Sequence, residues 1–427
     1  QVEHPVTELV TGLDLVEWQL RIAAGEPLTL VQDDVRHSGH AVEARVYAEN
    51  PERGFLPSDG TVLALHEPSG AGVRVDSGLQ AGNAIVTEYD PMLSKVIAWG
   101  EDRRTALARL DAALADTAIL GAVTNVRWLR TLLADPDVQS GRLDTTLIDR
   151  RFSDLDSTEP SANDLATAAL LVHLDRCAER AGSTGPLWSA PSGWRLGSHR
   201  PIAYDLDTAV VQLSGDADAL ATATAQVTVP GVPALRGGVR VSRPVAPGEP
   251  SIAHVTLDGV TRSVPFARSA GSNGGPAAIW LGDGGAVREV RILDRPARLA
   301  RELAGLTRVA GAADPDLRSP MPGTVVAVAV SSGDEVDAGD TVLTVEAMKM
   351  EHRLVAPVAG RVHVRVAPGD LVRLDQVVAT VVATVEAGPS PSAEPTTAAA
   401  AAPADHHPVP PTTVEHQAAT PTRSTVA

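Results

Sequence analysis

Glu346-Ala347-Met348-Lys349-Met350-Glu351 lies between two copies of one sequence pattern. The stretch PMPGTV at 320–325 recurs as PVAGRV at 357–362, and SGDEV at 332–336 recurs as PGDLV at 368–372. Each copy reads as an alternating strand followed by a Gly-Asp turn. The repeat predicts two similar hairpin layers around a pseudo-twofold axis, with Lys349 at the hairpin tip that joins them.

Lys349 stands out because only two of the 36 basic residues are lysines, the other being Lys95. An exposed lysine at a hairpin tip is a poor catalytic base, since burial is usually needed to lower the pKa of its amine. It is accessible to a modifying enzyme, and the flanking methionines are soft side chains that suit docking into different pockets. The alternative is an ordinary surface lysine beside two core methionines.

Residues 346–350 resemble the biotin attachment motif of biotin carboxyl carrier domains, and 320–323 resembles the hallmark that precedes it in that family. The resemblance implies an all-β flattened barrel over 319–385, with biotin covalently bound to Lys349. It also implies that a biotin protein ligase recognises Met348 and Met350. Lipoyl domains share this fold but typically carry an acid before the lysine and an alanine after it, so a lipoyl carrier of an oxo-acid dehydrogenase is the alternative.

The chain opens with QVEHPVTE at 1–8. From the residues alone, Glu3 and His4 could act as a general base and acid, although surface polarity is the default interpretation of one such pair. The octet resembles the end of the ATP-grasp domain in biotin carboxylases, and 40–49, 89–95 and 121–125 resemble later hallmarks of that family in the same order. The resemblance implies that 1–152 is the end of the ATP-grasp part and the C-terminal domain of a biotin carboxylase.

Two helices are predicted in this part from local patterns. Asp14, with Glu17 three residues later, forms a capping-box pattern that predicts the start of a helix. Leu107, Leu110 and Leu114 are spaced for one face of a helix over 101–117.

The resemblance to biotin carboxylases implies roles for individual residues. Glu3 matches the base that deprotonates bicarbonate, and Gln1 and Val2 match positions that hold bicarbonate through a side chain and the backbone. Arg45 matches the cation that stabilises the enolate-like ureido oxygen of biotin. Arginine suits that role because it stays protonated while its environment changes.

Other interpretations of these motifs stay open. Arg45 could be only a salt-bridge partner of Glu43 or Glu49, and His4 is expected to be structural. Asp90 and Lys95 are expected to shape the site or a subunit contact, without a chemical role.

The ATP-binding elements of the resembling family belong upstream of residue 1, and no glycine-rich phosphate loop occurs in this chain. We therefore expect ATP, Mg²⁺ and bicarbonate to be cofactors and substrates of a longer parent protein, and no metal ligands in this chain. Since Gln1 stands inside a motif, we expect a fragment that is inactive alone as a carboxylase and complete only as a carrier.

The middle of the chain, 153–310, begins with a polar linker at 153–161 and a helix at 164–181. A β-rich pattern follows, with strands expected at 202–213, 225–229, 252–257, 261–267 and 287–293. Glycine pairs, among them Gly237–Gly238, are interpreted as turns between these strands. Residues 191–195 resemble the linking domain of propionyl-CoA and 3-methylcrotonyl-CoA carboxylase α subunits, which binds the carboxyltransferase β subunit. Simple bacterial acetyl-CoA carboxylase subunits lack this insert, and it is too short for the barrel of pyruvate carboxylase.

Composition excludes several classes of protein. A net charge of −17 without a basic stripe argues against nucleic-acid binding. The single cysteine, Cys177, excludes a disulfide framework and a cysteine zinc site. No apolar run reaches membrane-spanning length, so we expect a cytoplasmic protein. Residues 311–318 are expected to be a hinge, and 386–427, rich in Ala, Pro, Thr and Ser, a disordered tail.

The sequence therefore predicts a multidomain α+β protein. The resemblances imply the α subunit of a biotin-dependent acyl-CoA carboxylase, in a hetero-oligomer with a carboxyltransferase β subunit. A pure biotin carboxyl carrier shuttle is the alternative. It would have no use for Glu3 and Arg45 in motifs of this kind. Which acyl-CoA is carboxylated does not follow from the sequence.

Overall fold

A computed structural model describes residues 5–86, 90–151, 159–181, 193–196, 198–215, 220, 223–244, 246–269, 278–307, 315–347 and 350–383. The expected tail at 386–427 lies outside the described residues, as do Gln1, Val2, Glu3, His4, Met348 and Lys349. None of the described helices is long and apolar enough to cross a membrane.

Residues 5–151 form an α+β domain. Its helices are α1 (Val6–Thr11), α2 (Leu15–Ala23), α3 (Arg103–Asp116), α4 (Val126–Leu133), α5 (Pro136–Ser140) and α6 (Leu147–Arg151). Its strands are β1 (His40–Tyr47), β2 (Glu49–Asn50), β3 (Leu56–Pro57), β4 (Gly60–Thr61), β5 (Ala64–His66), β6 (Val73–Ser77), β7 (Ala84–Ile85), β8 (Met92–Gly100) and β9 (Ala118–Leu120). The main sheet is antiparallel and has the order β1-β8-β6.

Helix α3 covers one face of this sheet, as its apolar spacing predicts. Leu107, Leu110 and Leu114 are each at most 1% exposed and pack with Val46 and Val96 of the sheet. Burying three leucines stabilises the domain by several kcal/mol, at about 1.5–3 kcal/mol for each side chain. The other face of the sheet is therefore left for polar side chains.

Helix α2 begins where the sequence predicts, because the Asp14 side chain accepts a hydrogen bond from the Glu17 amide at 2.8 Å. The Glu17 carboxylate pairs with Arg21 instead of completing a capping box. The apolar face of α2 is exposed: Leu20 is 68% exposed.

Residues 162–181 and 193–307 form an antiparallel barrel with one helix before the strands and one after them. The helices are α7 (Ala162–Ala181) and α8 (Arg295–Thr307). The strands are β10 (Trp194–Arg195), β11 (Ser198–His199), β12 (Ile202–Asp205), β13 (Val210–Ser214), β14 (Thr224–Thr228), β15 (Leu235–Ser242), β16 (Ser251–Leu257), β17 (Val260–Ser269), β18 (Ala278–Asp283) and β19 (Ala286–Arg291). Strands β12 to β19 pair in sequence order. A bridge between Leu206 and Ile292 closes the barrel.

The barrel encloses helix α7. All residues from Leu165 to His173 are buried, and the apolar ones form one core cluster with inward residues of the strands. A helix that is apolar on all sides must be surrounded by protein. The run of small residues between Leu165 and Leu170, with three alanines, lets a helix fit inside an eight-stranded barrel.

Three features of this part differ from the sequence expectations. The single strand at 202–213 is two strands, β12 and β13, and the strands β15 and β18 were not expected. Gly237 lies inside β15 because a Cβ there would come 1.9 Å from the Thr256 carbonyl oxygen. Its glycine allows a close backbone approach, whereas sequence reasoning took it as a turn signal. Helix α8 was also missed.

The barrel packs directly against residues 5–151. Trp280 of β18 forms a small core with Ala64 and Leu120, and Arg130 donates a hydrogen bond to the Gly284 carbonyl at 2.6 Å. Gly285, at a φ of 81°, sits where a Cβ would lie 2.5 Å from the Leu114 carbonyl oxygen. The β18–β19 turn therefore fits against α3 only because it has no side chain there.

Residues 315–383 form two four-stranded sheets. The strands are β20 (Asp316–Arg318), β21 (Gly323–Val328), β22 (Glu335–Val336), β23 (Thr341–Ala347), β24 (Met350–Val355), β25 (Gly360–Val364), β26 (Leu371–Val372) and β27 (Val377–Ala383). The sheet orders are β20-β27-β25-β22 and β24-β23-β21-β26. The expected hinge at 311–318 is wrong over Asp316–Arg318, since this segment pairs with β27.

The pseudo-twofold repeat is confirmed. Strand β21 of the first copy pairs with β26 of the second, and β25 of the second pairs with β22 of the first. The turn aspartates are equivalent: Asp334 accepts from the Ser331 amide and Asp370 from the Ala367 amide, both at 2.8 Å. Sequence similarity between the copies therefore reflects structural equivalence.

Candidate functional site

Arg45 lies on the face of β1 opposite the buried side chains. Ala44 and Val46 point into the core, so Glu43, Arg45 and Tyr47 share the other face. The Arg45 guanidinium is exposed and lies 5.4 Å from the centre of the Tyr47 ring. This cation–π contact orients the guanidinium while leaving it accessible to a bound anion.

Charged residues continue this face across the sheet. In the strand register, Arg45 lies opposite Lys95 on β8, and Lys95 lies opposite Asp76 on β6. Two adjacent cations and one carboxylate give the row a positive end at Arg45. Such an arrangement can stabilise negative charge that develops on a bound oxygen atom.

An ion-pair cluster ties helix α1 to the same sheet. Arg74 of β6 donates to Glu8 of α1 at 2.6 Å and to Asp76 at 2.7 Å. The hydrogen bonds to Asp76 and to Glu8 raise the pKa of the Arg74 guanidinium above its usual value. The second oxygen of Glu8 accepts from the Leu15 amide at 2.8 Å. Glu8 therefore fixes α1, which begins two residues after His4, against the strands of the Arg45 face.

Sequence reasoning missed Glu8 and Arg74 as parts of the site. They are 66 residues apart, and neither stands in a pattern that signals a pair. The predicted residues Gln1, Val2 and Glu3 lie outside the described residues. The structure therefore places their neighbouring helix, and their own roles stay predictions.

Two carboxylates, Glu49 and Asp90, lie near the end of β1 and the start of β8. Burial, and then the nearby charge of Asp90, raise the pKa of the Glu49 carboxyl. Asp90 accepts a hydrogen bond from the Met92 amide at 3.0 Å, at the start of β8. Asp90 thus has a structural contact that fits the expectation that it shapes this region.

The predicted modification motif lies at the end of the β23–β24 hairpin. The last described pair is Ala347 and Met350, so Met348 and Lys349 stand between two paired residues and lie outside the described residues. Ala347 is 3% exposed, whereas Met350 is 41% exposed. The strand that leads to the motif is therefore anchored in the core, and the residue after the lysine is accessible.

The structure brings the two motifs of the repeat together. Thr324 of β21 pairs with Glu346 of β23, and a Cβ on Gly323 would lie 2.4 Å from the Glu346 carbonyl oxygen. Gly323 belongs to the PMPG stretch and Glu346 to the stretch that contains Lys349. The glycine is required because the backbone of the modification motif passes directly over it.

A separate cavity lies away from these residues. It has a volume of about 590 Å³ between residues 5–151 and the barrel, and its lining includes His66, Asp116 and Arg243. The His66 Nε2 atom lies 3.2 Å from Asp116. The residues that line it include none of the sequence-predicted site residues.

Family models match successive parts of the chain. The biotin carboxylase C-terminal domain matches 43–150, and the BT domain of the methylcrotonyl-CoA carboxylase α subunit matches 160–295. The model described as biotin-requiring enzyme matches 315–381. The ATP-binding domain of the carbamoyl-phosphate synthase L chain matches 1–31.

Curated relatives are similar to this chain over most of its length. The mitochondrial methylcrotonoyl-CoA carboxylase subunit α of Oryza sativa is 33% identical over 389 residues, which cover 85% of this chain and 52% of the relative. The mitochondrial propionyl-CoA carboxylase α chain of Homo sapiens is 35% identical over 375 residues, covering 85% and 48%. The chain therefore spans about half the length of the curated relatives it matches.

Among solved structures, the biotin carboxylase domain of Hydrogenobacter thermophilus 2-oxoglutarate carboxylase is 39% identical. The match has a TM-score of 0.36 and covers 37% of this chain and 35% of that one. A single-chain, multi-domain long-chain acyl-CoA carboxylase is 24% identical, with a TM-score of 0.34, and the match covers 91% of this chain and 27% of that one.

Proposed function

We propose that this chain, which belongs to the biotin-dependent carboxylases through its three matched domains, carries biotin on Lys349 and supplies part of a biotin carboxylase site through Arg45. The observation that carries the proposal is the close approach of Gly323 to the Glu346 backbone. It places the PMPG stretch of β21 beside the stretch of β23 that leads to Lys349. In this role Lys349 forms the amide bond to biotin, and Met348 and Met350 are recognised by a biotin protein ligase.

The residues at the hairpin fit a covalently held group. Ala347 is buried and fixes the strand, and Met350 is exposed enough for a ligase to contact. Biotin supplies a ureido nitrogen that carries the carboxyl group between two sites. Lys349 supplies the long flexible attachment that such travel requires.

The chemistry proposed for 1–152 uses three kinds of residue. Gln1 and Val2 hold bicarbonate, and Glu3 takes its proton, so that ATP can activate it. Arg45 offers a permanent positive charge to the ureido oxygen when negative charge develops there. Glu8 and Arg74 act as positioning residues, because their ion pair fixes the helix that follows Glu3.

We infer that the whole protein is an acyl-CoA carboxylase α subunit, and that ATP and Mg²⁺ bind a part of the protein outside 1–427. The chain alone is then inactive in carboxylation and complete only as a carrier. Residues 153–310 would bind a carboxyltransferase β subunit in a hetero-oligomer, since their counterpart is the BT domain of methylcrotonyl-CoA carboxylase. The cytoplasmic location stays a prediction, and the named relatives are mitochondrial.

The test is biotinylation of the chain during co-expression with a biotin protein ligase. We expect one biotin, mapped to Lys349 by peptide mass spectrometry, and complete loss of the streptavidin signal in Lys349→Arg. Lys95→Arg is a matched control because Lys95 is the only other lysine, and it should keep the full signal. A signal that persists in Lys349→Arg, or a lipoyl group on Lys349, would overturn the proposal.

A further inference from the structure

A short turn follows the strand that carries Arg45. Strand β2 continues directly from β1, and β3 folds back on it with Asn50 opposite Leu56. We name residues 51–57 the docking turn; they connect β2 to β3 and include β3 itself. At about 3.3 Å per extended residue, Asn50 lies within about 17 Å of Arg45 along the chain.

The docking turn has a strained backbone. Phe55 has a φ of 61°, in the left-handed region that bulky residues rarely adopt. The Trp128 ring holds it in an edge-to-face contact, with ring centres 5.1 Å apart at 88°. Strained residues of this kind persist where the surrounding structure enforces them, and they are common at binding sites. The strain fixes the direction of the next residue, Leu56.

Leu56 contacts a different domain from its own. It packs against the hydrophobic core cluster of 315–383, which includes Met321, Val325 and Val345. Among the described residues in that cluster, Leu56 is the one that comes from 5–151. The contact therefore joins the carrier-like domain to the turn beside the Arg45 strand.

We propose that the chain's own biotinyl domain, 315–383, rests on the docking turn while its biotin receives the carboxyl group, a step that we call loading. Leu56 is the apolar anchor of this contact. This inference rests on the proposed function, because loading requires that Lys349 carries biotin. The physical contact is independent of it. Because Asn50 and Leu56 are paired, docking at Leu56 brings the domain to the end of the strand whose exposed face carries Arg45.

Methyl NMR of the full chain tests the docking. The chain has only four methionines, Met92 in 5–151 and Met321, Met348 and Met350 in the carrier part. With ¹³C-methyl methionine, the signal of Met321, which is 0% exposed, reports the tumbling of the carrier domain and should be as broad as that of Met92 when the domain is docked. We expect Leu56→Asp to release the domain and to narrow the Met321 signal at least twofold, while the Met92 signal keeps its width and position.

Leu20→Asp is the matched control, since it places the same charge at another leucine of 5–151 that is 68% exposed. It should leave all four signals unchanged, and Leu56→Met should retain the docked widths. A Met321 signal that is already narrow in the unmodified chain, or that does not change in Leu56→Asp, would overturn the docking.

Streptavidin capture of the biotinylated chain tests whether docking places the biotin near Arg45. A docked biotin near Arg45 is shielded, so Leu56→Asp should be captured at least tenfold faster than the unmodified chain. If Leu56→Asp releases the domain in the NMR experiment but both chains are captured at equal rates, loading at this position is overturned. Mass spectrometry of the same samples separates the two proposals: a chain without biotin refutes the proposed function, and unchanged methyl signals refute only the docking.

Discussion

The buried contact between His173 and Tyr204 predicts a measurable loss of stability in Tyr204→Phe. His173 is 0% exposed inside the barrel, and its ring nitrogens lie 2.7 Å from the Tyr204 hydroxyl and 2.8 Å from the Leu220 carbonyl. A carbonyl oxygen only accepts, so Nε2 of His173 carries the proton. Nδ1 must then accept from the Tyr204 hydroxyl, which fixes a neutral imidazole with both nitrogens satisfied.

Tyr204→Phe keeps the ring in place and removes the hydroxyl, which donates to Nδ1 of His173 and also accepts a hydrogen bond from Arg176. A buried acceptor left without a partner costs about 1–3 kcal/mol, and little cavity is created, so we expect a loss of about 2 kcal/mol. Native-state hydrogen exchange of the α7 amides measures the free energy of opening of this helix. Tyr47→Phe is the control, because Tyr47 is only half-buried and lies on the open face of the sheet.

The same contact predicts a pH dependence. Burial lowers the pKa of His173, and the charge of Arg176 lowers it further. Its stabilising contribution is therefore complete above about pH 6.5, the pKa expected in the unfolded chain, and is lost as the pH falls below it. Equal stability of Tyr204→Phe and the unmodified chain, or a helix that becomes more stable on acidification, would refute the assignment of a neutral, doubly bonded imidazole.

Two further predictions concern contacts between distant segments. Gly285→Val should weaken the packing of the barrel on α3 by about 2 kcal/mol, because the side chain would meet the Leu114 carbonyl. Gly259→Val has the same φ of 81° with nothing within 4 Å, so calorimetry should show a smaller loss there, and equal losses would exclude the contact as the cause. Arg74→Met should leave Glu8 without its cation, so the free energy of opening of α1, measured by exchange of its amides, should fall by about 1–2 kcal/mol. Unchanged exchange would show that the ion pair does not hold α1.

Local patterns predicted the elements whose sequence spacing matches their own geometry. The leucines of α3 are spaced for one helical face, and Asp14 caps α2 through a backbone amide three residues away. The repeat around Lys349 predicted a twofold arrangement because equivalent turns need equivalent glycine and aspartate residues. In each case the deciding contact lies within a few residues, or within one copy of a repeat.

The interpretation failed where a residue is determined by a distant partner. Gly237 was taken as a turn signal, and it lies inside a strand because the Thr256 backbone passes close to it. The two strands at 202–213 are separated by a turn at Asp207, whose amide bonds to the Arg291 carbonyl at 3.0 Å. Helix α7 was predicted, and its enclosure by the barrel was not, since helix periodicity is the same whichever elements surround it.

The sequence by itself determined the order of the domains, the helix and turn positions with local caps, and the lysine motif with its repeated flanks. Only the tertiary structure decided that Glu8 pairs with Arg74, that the barrel closes around α7, and that Leu56 packs against the carrier domain. The physical reason is range. Hydrogen-bonded turns and amphipathic faces are encoded by neighbouring residues, whereas ion pairs and apolar contacts between distant segments depend on shape and leave no periodicity in the chain.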